Sequence, residues 1–355
     1  MKALVAMSGG VDSSVAAYLL KKDGYEVIGL SFELWDRRDV KKFNTCCSAE
    51  TVEIAKSVAG KLGIEHYTID VRDAFYRYVI EDFCDSYIAG STPNPCILCN
   101  KYIKFDFLLQ EAKETGTDVI ATGHYARTCR AGTSDKSRVL LKKGVDFRKD
   151  QSYVLYVMTQ EQLSKTVFPL GDMRKEETRA LAKEVGLESA LRPESQDICF
   201  VGNGNYTDFI RDFAPEALKP GLIIDMEGKV VGTHKGIALY TIGQRKRLGV
   251  SSLKPLYVAG IDIGNNIITV GSREDAMRKR LRVKELKWIS VETLSETVRA
   301  GVKIRSTMKE EHAVLTPEGD KTVIVEFNEP QWAPAAGQSA VFYNGDVVIG
   351  GGVIE

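Results

Sequence analysis

The sequence predicts an α/β fold, in which a parallel, doubly wound sheet is followed by a small mostly-β module and a C-terminal β-barrel. Three observations lead to this prediction. Over about the first 125 residues, short apolar segments alternate with segments of helical periodicity, as expected for β-α-β units. After Pro220, short alternating segments are separated by Gly, Asn-Asn and Asn-Gly turns. The composition, 44% hydrophobic and 27% charged over 355 residues, is that of a folded globular protein.

The elements of the first region follow from their apolar periodicity and from the glycines that end them. Strands are predicted at Lys2–Met7, Glu26–Phe32, Glu65–Asp70 and Asp118–Thr122, and helices at Asp12–Lys22, Ala49–Leu62, Arg72–Ile88 and Lys101–Lys113. A hairpin is predicted at Ala126–Val145, and Gln160–Val185 is predicted to be mostly helical, with Asp172 as an N-cap. In such a sheet, ligands bind beyond the carboxyl ends of the strands.

We expect three domains, since about 150 residues per domain is typical. The predicted boundaries are 1–205 for the α/β domain, 206–272 for the small module and 278–355 for the barrel. In the last of these, Asn344-Gly345 between two apolar segments predicts a hairpin. No apolar segment approaches the ~20 residues of a membrane span. The first residues are predicted to form a strand and not a signal peptide, and the seven cysteines then fit the reducing cytoplasm.

A glycine-rich segment, Ser8-Gly9-Gly10-Val11-Asp12-Ser13-Ser14, lies between the first predicted strand and helix. Glycines let the backbone approach a ligand closely, and the amides at a helix start form an anion site to which the serine hydroxyls add donors. The segment lacks the lysine of a Walker motif, so phosphate binding needs another arrangement. The alternative is an ordinary strand-to-helix turn capped by Asp12 or Ser13.

Three cysteines stand in two distant segments. Cys96 and Cys99 form a Cys-x-x-Cys motif, whereas Cys199 lies in a segment without periodicity. We expect a helix to begin near Lys101, so that Cys99 lies at its start, where the helix dipole favours the thiolate. A zinc site would need two more ligands of similar spacing. The alternative is a pair of buried structural thiols, and the same interpretation is given to Cys46, Cys47, Cys84 and Cys129.

Eight segments, in family order across nearly the whole chain, closely resemble the tRNA-specific 2-thiouridylase (MnmA/TrmU) family of PP-loop ATP pyrophosphatases. They are Met7–Ser13, Thr92–Pro95, Cys99–Lys101, Ala121–Tyr125, Lys149–Tyr153, Ile198–Phe200, Gly243–Lys246 and Gly337–Tyr343. The first of them carries the PP-loop signature Ser-Gly-Gly-x-Asp-Ser. The resemblance implies a tRNA sulfurtransferase that uses ATP.

The resemblance also implies a two-step reaction. ATP with Mg²⁺ adenylates the 2-carbonyl oxygen of the wobble uridine in a tRNA of the Lys, Glu or Gln type, and a sulfur nucleophile then displaces AMP to give 2-thiouridine. In the family, the cysteine matching Cys199 carries a persulfide supplied by a donor such as a cysteine desulfurase or a sulfur-relay protein. The cysteine matching Cys99 frees or helps to deliver that sulfur, and the two can pair as a disulfide during the cycle.

Cys96 departs from the family pattern, because many members have an Asp there that is a candidate acid or base. Cys96, Cys99 and Cys199 therefore admit a second arrangement as ligands of a 4Fe–4S cluster with one open iron, which resembles other RNA-thiolating PP-loop enzymes. The cluster and the persulfide–disulfide pair remain alternatives. In both, these three cysteines are the candidate catalytic residues.

The family match also assigns binding residues. Those assigned to ATP are Ala6, Met7, Ser8, Gly9, Gly10, Val11, Asp12, Ser13, Phe32 and Gly123. Those assigned to the tRNA and its target base are Asn94, Pro95, Cys96, His124, Lys149, Asp150, Gln151, Arg305, Ser306 and Gln338. From the residues alone, Phe32 would be core, Gly123 a turn and His124 a hydrogen-bonded structural histidine. Ser306 replaces an aromatic residue common in the family, so the match does not carry base stacking over to it.

Charge gives independent but weaker support for RNA binding. Lys plus Arg and Asp plus Glu number 48 each, so the formal net charge is zero. Basic residues nevertheless cluster at 142–149, 245–247 and 278–284, where they would neutralise phosphates or form an ordinary solvated surface. Two other functions are kept as alternatives: another PP-loop RNA thiolase or adenylating ligase, and a non-catalytic sulfur or iron–sulfur carrier that binds tRNA.

Overall fold

The computed structural model of the protein describes residues 1–34, 49–132, 137–191, 198–201 and 205–355. The chain divides into two compact units. Apart from the gaps just given, unit 1 comprises Met1–Val79, Cys96–Asn203 and Gly345–Ile349, and unit 2 comprises Ile80–Pro95, Gly204–Asn344 and Gly350–Glu355. The division into three domains stays a prediction.

Strands and helices alternate in the first part of the chain. The strands are β1 (Lys2–Ala6), β2 (Glu26–Glu33), β3 (Glu65–Asp70), β4 (Val119–Ala121), β5 (Ala126–Arg130), β6 (Val139–Lys143) and β7 (Thr166–Val167). The helices are α1 (Val11–Lys22), α2 (Ala49–Leu62), α3 (Arg72–Phe75), α4 (Asp82–Ile88), α5 (Pro95–Leu98), α6 (Phe105–Thr115), α7 (Ser152–Leu155), α8 (Gln160–Lys165) and α9 (Lys175–Glu184). Two π-helical segments, Tyr76–Glu81 and Cys99–Lys104, continue α3 and α5.

Unit 1 is built on a five-stranded sheet in the order β3-β2-β1-β4-β7. Every adjacent pair is parallel, and Ala3 in the central strand pairs with Val27 on one side and Val119 on the other. The core is made where the apolar sides of α1, α2 and α9 cover this sheet, with Val5, Val15 and Ala16 fully buried. The β5–β6 hairpin is antiparallel and pairs through Lys142 with Val347.

The other α-helix and strands of the described residues lie nearly all in unit 2. They are α10 (Tyr206–Phe213), β8 (Gly221–Ile224), β9 (Val230–His234), β10 (Tyr257–Asp262), β11 (Ile267–Gly271), β12 (Met277–Trp288), β13 (Val298–Lys303), β14 (Glu311–Pro317), β15 (Thr322–Trp332), β16 (Ser339–Asn344) and β17 (Val347–Ile354). A four-stranded sheet has the order β10-β11-β8-β9. Strands β12 to β17 form a closed antiparallel barrel, because β12 pairs with both β15 and β17.

The predicted fold class is therefore confirmed, as are the four parallel strands, the β5–β6 hairpin and the hairpin at Gly345, which has a φ of +58°. Gln160–Val185 is mostly helical, as predicted, with the short strand β7 between α8 and α9. Helix α9 begins at Lys175, where the Glu177 carboxylate accepts from the Arg174 amide at 2.6 Å. Asp172 is thus not the cap. Within the described part of the chain, no helix has the length and apolar character needed to cross a membrane.

Candidate functional site

The glycine-rich loop joins β1 to α1 at the carboxyl edge of the parallel sheet. Its backbone is fixed from within, since Ser8 N donates to Ser13 Oγ at 3.1 Å and Ser14 Oγ donates to the carbonyl oxygen of Gly10 at 2.9 Å. The Ser13 hydroxyl also donates to that carbonyl. These hydroxyls therefore shape the loop. The start of α1 lies at the position where the sequence predicts an anion site, and that role stays a prediction.

Two glycines are required by close backbone approaches. Gly9 has a φ of +72°, and a Cβ there would lie 2.3 Å from the carbonyl oxygen of Thr51. Gly123 follows β4, and a Cβ there would lie 2.7 Å from both the carbonyl carbon of Asp12 and the amide nitrogen of Ser13. The residue after β4 thus touches the first turn of α1, so the segments containing Gly9 and Gly123 meet at one place, as the ATP assignment requires.

The other residues predicted to bind ATP lie at the same edge. Ala6 pairs with Leu30, and Met7 N donates to the Leu30 carbonyl at 2.7 Å. Phe32 lies two residues further along β2 and is 9% exposed. The structure thus gathers the carboxyl ends of β1, β2 and β4 around the loop, which is where ligands bind in sheets of this kind.

An ion pair next to the loop was not predicted. The Lys175 ammonium lies 2.7 Å from both carboxylate oxygens of Asp12. The Tyr125 hydroxyl donates to Asp12 Oδ1 at 2.9 Å and is hydrogen-bonded with Thr178 Oγ1 at 3.0 Å. Burial and the neighbouring Asp12 charge raise the pKa of Tyr125, so its phenol stays protonated. No motif contains Lys175, because its partner is 163 positions away in the sequence.

The helix that carries the Cys-x-x-Cys motif begins earlier than predicted. It starts with Pro95 at α5, so Cys96 lies in the first turn and is exposed, whereas Cys99 begins the π-helical segment and is 6% exposed. The helix dipole therefore acts on Cys96 more strongly than on Cys99. π-Helical turns inside α-helices are frequent at functional sites.

Cys199 belongs to the same unit as Cys99, and their neighbours are connected. Cys199 is partly exposed, and the ring of the next residue, Phe200, packs edge-on against Phe75 of α3 with a centroid distance of 5.9 Å. Helix α3 in turn packs against the π-helical segment that starts at Cys99. The two segments that carry the predicted catalytic cysteines are thus held by the same short helix.

These cysteines do not form an iron–sulfur site in this structure. Across residues 1–34, 49–132, 137–191, 198–201 and 205–355, no group of three or more His, Cys, Asp or Glu side chains is placed to hold a metal ion. Cys96 is exposed while Cys99 is buried, so their thiols face different surroundings. No chemical step is therefore derived through a cluster. Of the other cysteines, Cys84 is buried as expected, Cys129 is exposed, contrary to expectation, and Cys46 and Cys47 lie outside the described residues.

Two of the residues assigned to tRNA in unit 1 are tied to the protein interior. His124 is 8% exposed, its Nδ1 is hydrogen-bonded with Thr122 Oγ1 at 2.8 Å, and its ring packs on Phe105. Gln151 Oε1 accepts from the amide of Tyr125 at 3.0 Å. The contacts of His124 favour its structural interpretation, and Gln151 makes a positioning contact to the backbone of Tyr125.

The surface near these residues is formed by the preceding turn. Asp150 accepts hydrogen bonds from the amides of Gly144 and Ser152, both at 3.1 Å, and so closes the turn that presents Lys149. In the same turn Phe147 is 77% exposed, and the Arg148 guanidinium lies 5.5 Å from its ring centroid. An exposed aromatic side chain beside basic residues is typical of base-stacking surfaces, and Phe147 is not among the residues predicted from the sequence.

In unit 2, two predicted residues bind the protein backbone. The Gln338 amide donates to the carbonyl oxygens of Thr92 at 2.9 Å and Pro93 at 3.1 Å. Arg305 Nη2 donates to the carbonyl oxygen of Ala333 at 2.7 Å. Ser306 is exposed beside it. The Gln338 side chain therefore fixes the segment that leads to Asn94 and Pro95, because it binds the main-chain carbonyl oxygens of that segment.

Similarity to known proteins extends over the whole chain. A protein from Caldanaerobacter subterraneus subsp. tengcongensis named tRNA-specific 2-thiouridylase MnmA 1 is 50% identical, over 100% of this chain and 98% of the relative. One of the same name, without a number, from Clostridioides difficile is 46% identical over 100% and 98%. The chain belongs to the tRNA-specific 2-thiouridylase family.

Family models divide this 2-thiouridylase homologue into three matched regions. The tRNA methyl transferase HUP domain matches residues 1–203, the tRNA methyl transferase PRC-barrel domain matches 207–272, and the Aminomethyltransferase beta-barrel domain matches 278–354. The glycine-rich loop, Lys175 and the three cysteines all lie in the first matched region of this 2-thiouridylase family member.

Proposed function

We propose that the protein is an ATP-dependent tRNA 2-thiouridylase, which adenylates the 2-carbonyl oxygen of the wobble uridine and replaces that oxygen with sulfur. The observation that carries the proposal is the 50% identity to a named 2-thiouridylase over 100% of this chain and 98% of that relative. The loop at the sheet edge would bind ATP, and the two cysteine segments that pack against α3 would deliver sulfur, which are the two parts that such a reaction needs.

In the first step, ATP enters as its magnesium complex and binds at the loop 8–14 and at Gly123. The uridine O2 attacks the α-phosphorus, the bond to the bridging oxygen breaks, and the electron pair leaves with pyrophosphate. Amides at the start of α1 stabilise the phosphate charge, because they are already oriented toward that edge. The step converts the uracil oxygen into a good leaving group.

In the second step, the terminal sulfur of a persulfide on Cys199 attacks C2, and AMP leaves. The Cys99 thiolate then attacks Sγ of Cys199, the S–S bond to the transferred sulfur breaks, and 2-thiouridine is released with a Cys99–Cys199 disulfide. A thiol reductant restores both cysteines. Partial exposure of Cys199 supports this role, because the sulfur must come from a donor protein such as a cysteine desulfurase or a sulfur-relay protein in the cytoplasm.

For the tRNA, we propose that Asn94, Pro95 and Cys96 meet the extruded base, and that the turn with Phe147, Arg148 and Lys149 meets the anticodon stem-loop. The exposure of Cys96 and Phe147 supports these contacts. Arg305, Ser306 and Gln338 belong to the barrel face that we assign to the tRNA. Recognition of a splayed, single-stranded loop suits stacking and phosphate contacts better than reading of a helix.

The test uses purified protein, unmodified tRNA with a wobble uridine, MgATP and a persulfide donor, followed by nucleoside mass spectrometry and assay of AMP and pyrophosphate. We expect 2-thiouridine at the wobble position, with AMP and pyrophosphate released in proportion. Thiolation at another nucleotide would favour another RNA thiolase. Binding of tRNA without release of AMP would favour a carrier.

A further inference from the structure

The glycine-rich loop contains no cationic side chain, and a lysine distant in the sequence lies beside it. Asp12 is the only charged residue in Ser8–Ser14, and it is acidic, while the proposed ligand carries several negative charges. Loops of the Walker type include a lysine for those phosphates, and this loop has none. In the structure, the Lys175 ammonium brings a positive charge to the loop, with its Nζ 2.7 Å from Asp12 Oδ1.

Lys175 is placed as a fixed charge. It is 7% exposed, and lysine is rarely buried to this extent without a partner. Its amide donates to Asp146 Oδ2 at 3.0 Å, which fixes the start of α9. Its ammonium lies 5.8 Å from the ring centroid of Tyr125, the residue whose hydroxyl also binds Asp12. Contacts with Asp12, Asp146 and Tyr125 therefore fix the position of the Lys175 ammonium.

We propose that Lys175 binds the β- and γ-phosphates of ATP and stabilises pyrophosphate as it leaves, in place of the lysine that the loop lacks. This inference rests on the proposed ATP-dependent adenylation. When the bond between the α-phosphorus and the bridging oxygen breaks, negative charge grows on pyrophosphate, and a preoriented ammonium stabilises it without reorganisation. Asp12 and Tyr125 hold the ammonium in place beforehand.

A purely structural ion pair would give a different result, because it would not discriminate between nucleotides. If Lys175 contacts the β- and γ-phosphates, its removal weakens binding of ATP and leaves binding of AMP, which has only the α-phosphate. A structural ion pair, by contrast, affects both nucleotides equally through the shape of the loop. The ratio of the two affinities is thus the decisive quantity.

The experiment measures the affinity of the full chain for MgATP and for AMP by calorimetry, with Lys175→Met and, as the matched control, Lys183→Met, an exposed lysine on the same helix. For Lys175→Met we expect affinity for ATP to fall by about tenfold or more, the loss of one strong contact, and affinity for AMP to stay within about twofold of wild type. Lys183→Met should match wild type for both. An unchanged ATP-to-AMP ratio in Lys175→Met overturns the proposal.

A second pair of variants keeps the test valid if Lys175→Met does not fold with Asp12 left unpaired. Asp12→Asn and Asp12→Asn/Lys175→Met differ only in the lysine, and the second lacks the uncompensated carboxylate. We expect the double variant to bind ATP more weakly than the single one while AMP binding is equal, and equal ATP binding contradicts the proposal. Because these assays need no tRNA, a failed thiolation test with a changed ratio would overturn the proposed function alone. Normal thiolation with an unchanged ratio would overturn only the role of Lys175.

Discussion

The side-chain amide of Gln338 donates a hydrogen bond to the main-chain carbonyl oxygen of Thr92, at 2.9 Å. The Thr92 amide in turn donates to the carbonyl oxygen of Ala336 at 2.7 Å, so the two segments are bound in both directions. The barrel loop thereby holds the residues that precede the Cys-x-x-Cys motif. A residue assigned to tRNA from the family pattern has a positioning contact within the protein.

Gln338→Glu is predicted to impair thiolation, since a carboxylate cannot donate and would face two carbonyl oxygens. We expect kcat for thiolation to fall by about tenfold, the cost of one lost and one repulsive contact. ATP affinity should not change, because Gln338 is hydrogen-bonded to Thr92 and Pro93, and neither residue belongs to the proposed ATP site. Steady-state kinetics and calorimetry measure both, with the exposed Gln110→Glu as control. Wild-type kcat in Gln338→Glu would remove the positioning role.

Gly123→Ala tests the meeting of β4 with the loop. The new Cβ would lie 2.7 Å from main-chain atoms of Asp12 and Ser13, which cannot move without shifting α1. We expect a loss of stability of about 1–3 kcal/mol, as for other overpacked sites, together with weaker ATP binding. Gly60→Ala on α2 is the matched control, since a Cβ there meets nothing within 4 Å. If both variants melt and bind ATP alike, the close approach is not needed.

Thiol reactivity separates the cysteines by their surroundings. Cys96 is exposed in the first helical turn, whereas burial raises the pKa of Cys84 to about 12. With iodoacetamide at about pH 8, where the thiolate is the reactive form, we expect Cys96 to be alkylated at least about tenfold faster than Cys84. Peptide mass spectrometry over time gives the rates, with Cys96→Ser identifying the peptide. Faster labelling of Cys84 than of Cys96 would contradict the burial of Cys84 and the exposure of Cys96.

His124 is predicted to make stability depend on pH. Burial, with the nearby Lys104 charge, holds its pKa well below the ordinary value of 6.5. The neutral form is therefore favoured by folding, so the stabilisation is present above pH 6.5 and is lost as the pH falls below it, toward the folded-state pKa. Lowering the pH from about 7.5 to about 5.5 should reduce Tm more for wild type than for His124→Gln. The exposed His312→Gln is the control, and equal pH profiles of all three would contradict the burial of His124.

Much of the fold could be predicted because its signals are local. The alternation of apolar strands and helices gave the parallel sheet, and Asn344-Gly345 gave the β16–β17 hairpin with Gly345 in the left-handed region. Element boundaries were predicted less accurately, since the helix expected to begin near Lys101 begins at Pro95. A proline is compatible with the first helical position, and that signal could have been used.

The site could be predicted only where a motif carries it. The loop glycines were found because their spacing is characteristic, but the reason for Gly123 lies in the backbone of Asp12, which is distant in the sequence. Lys175 lies outside every motif, and only the folded chain brings it to Asp12. The exposure of Phe147 was not predicted, because whether a single aromatic side chain in a polar turn is exposed or buried depends on the folded conformation of that turn.

The most direct test of the central claim is a single-turnover reaction with persulfide-loaded wild type and with Cys199→Ser, in which pyrophosphate and 2-thiouridine are both measured. Adenylation at the loop and sulfur transfer from Cys199 are separate steps. Cys199→Ser should therefore release pyrophosphate in a tRNA-dependent manner, at about the wild-type rate, and form no 2-thiouridine. Wild-type amounts of 2-thiouridine from Cys199→Ser would contradict the assignment of sulfur delivery to this cysteine.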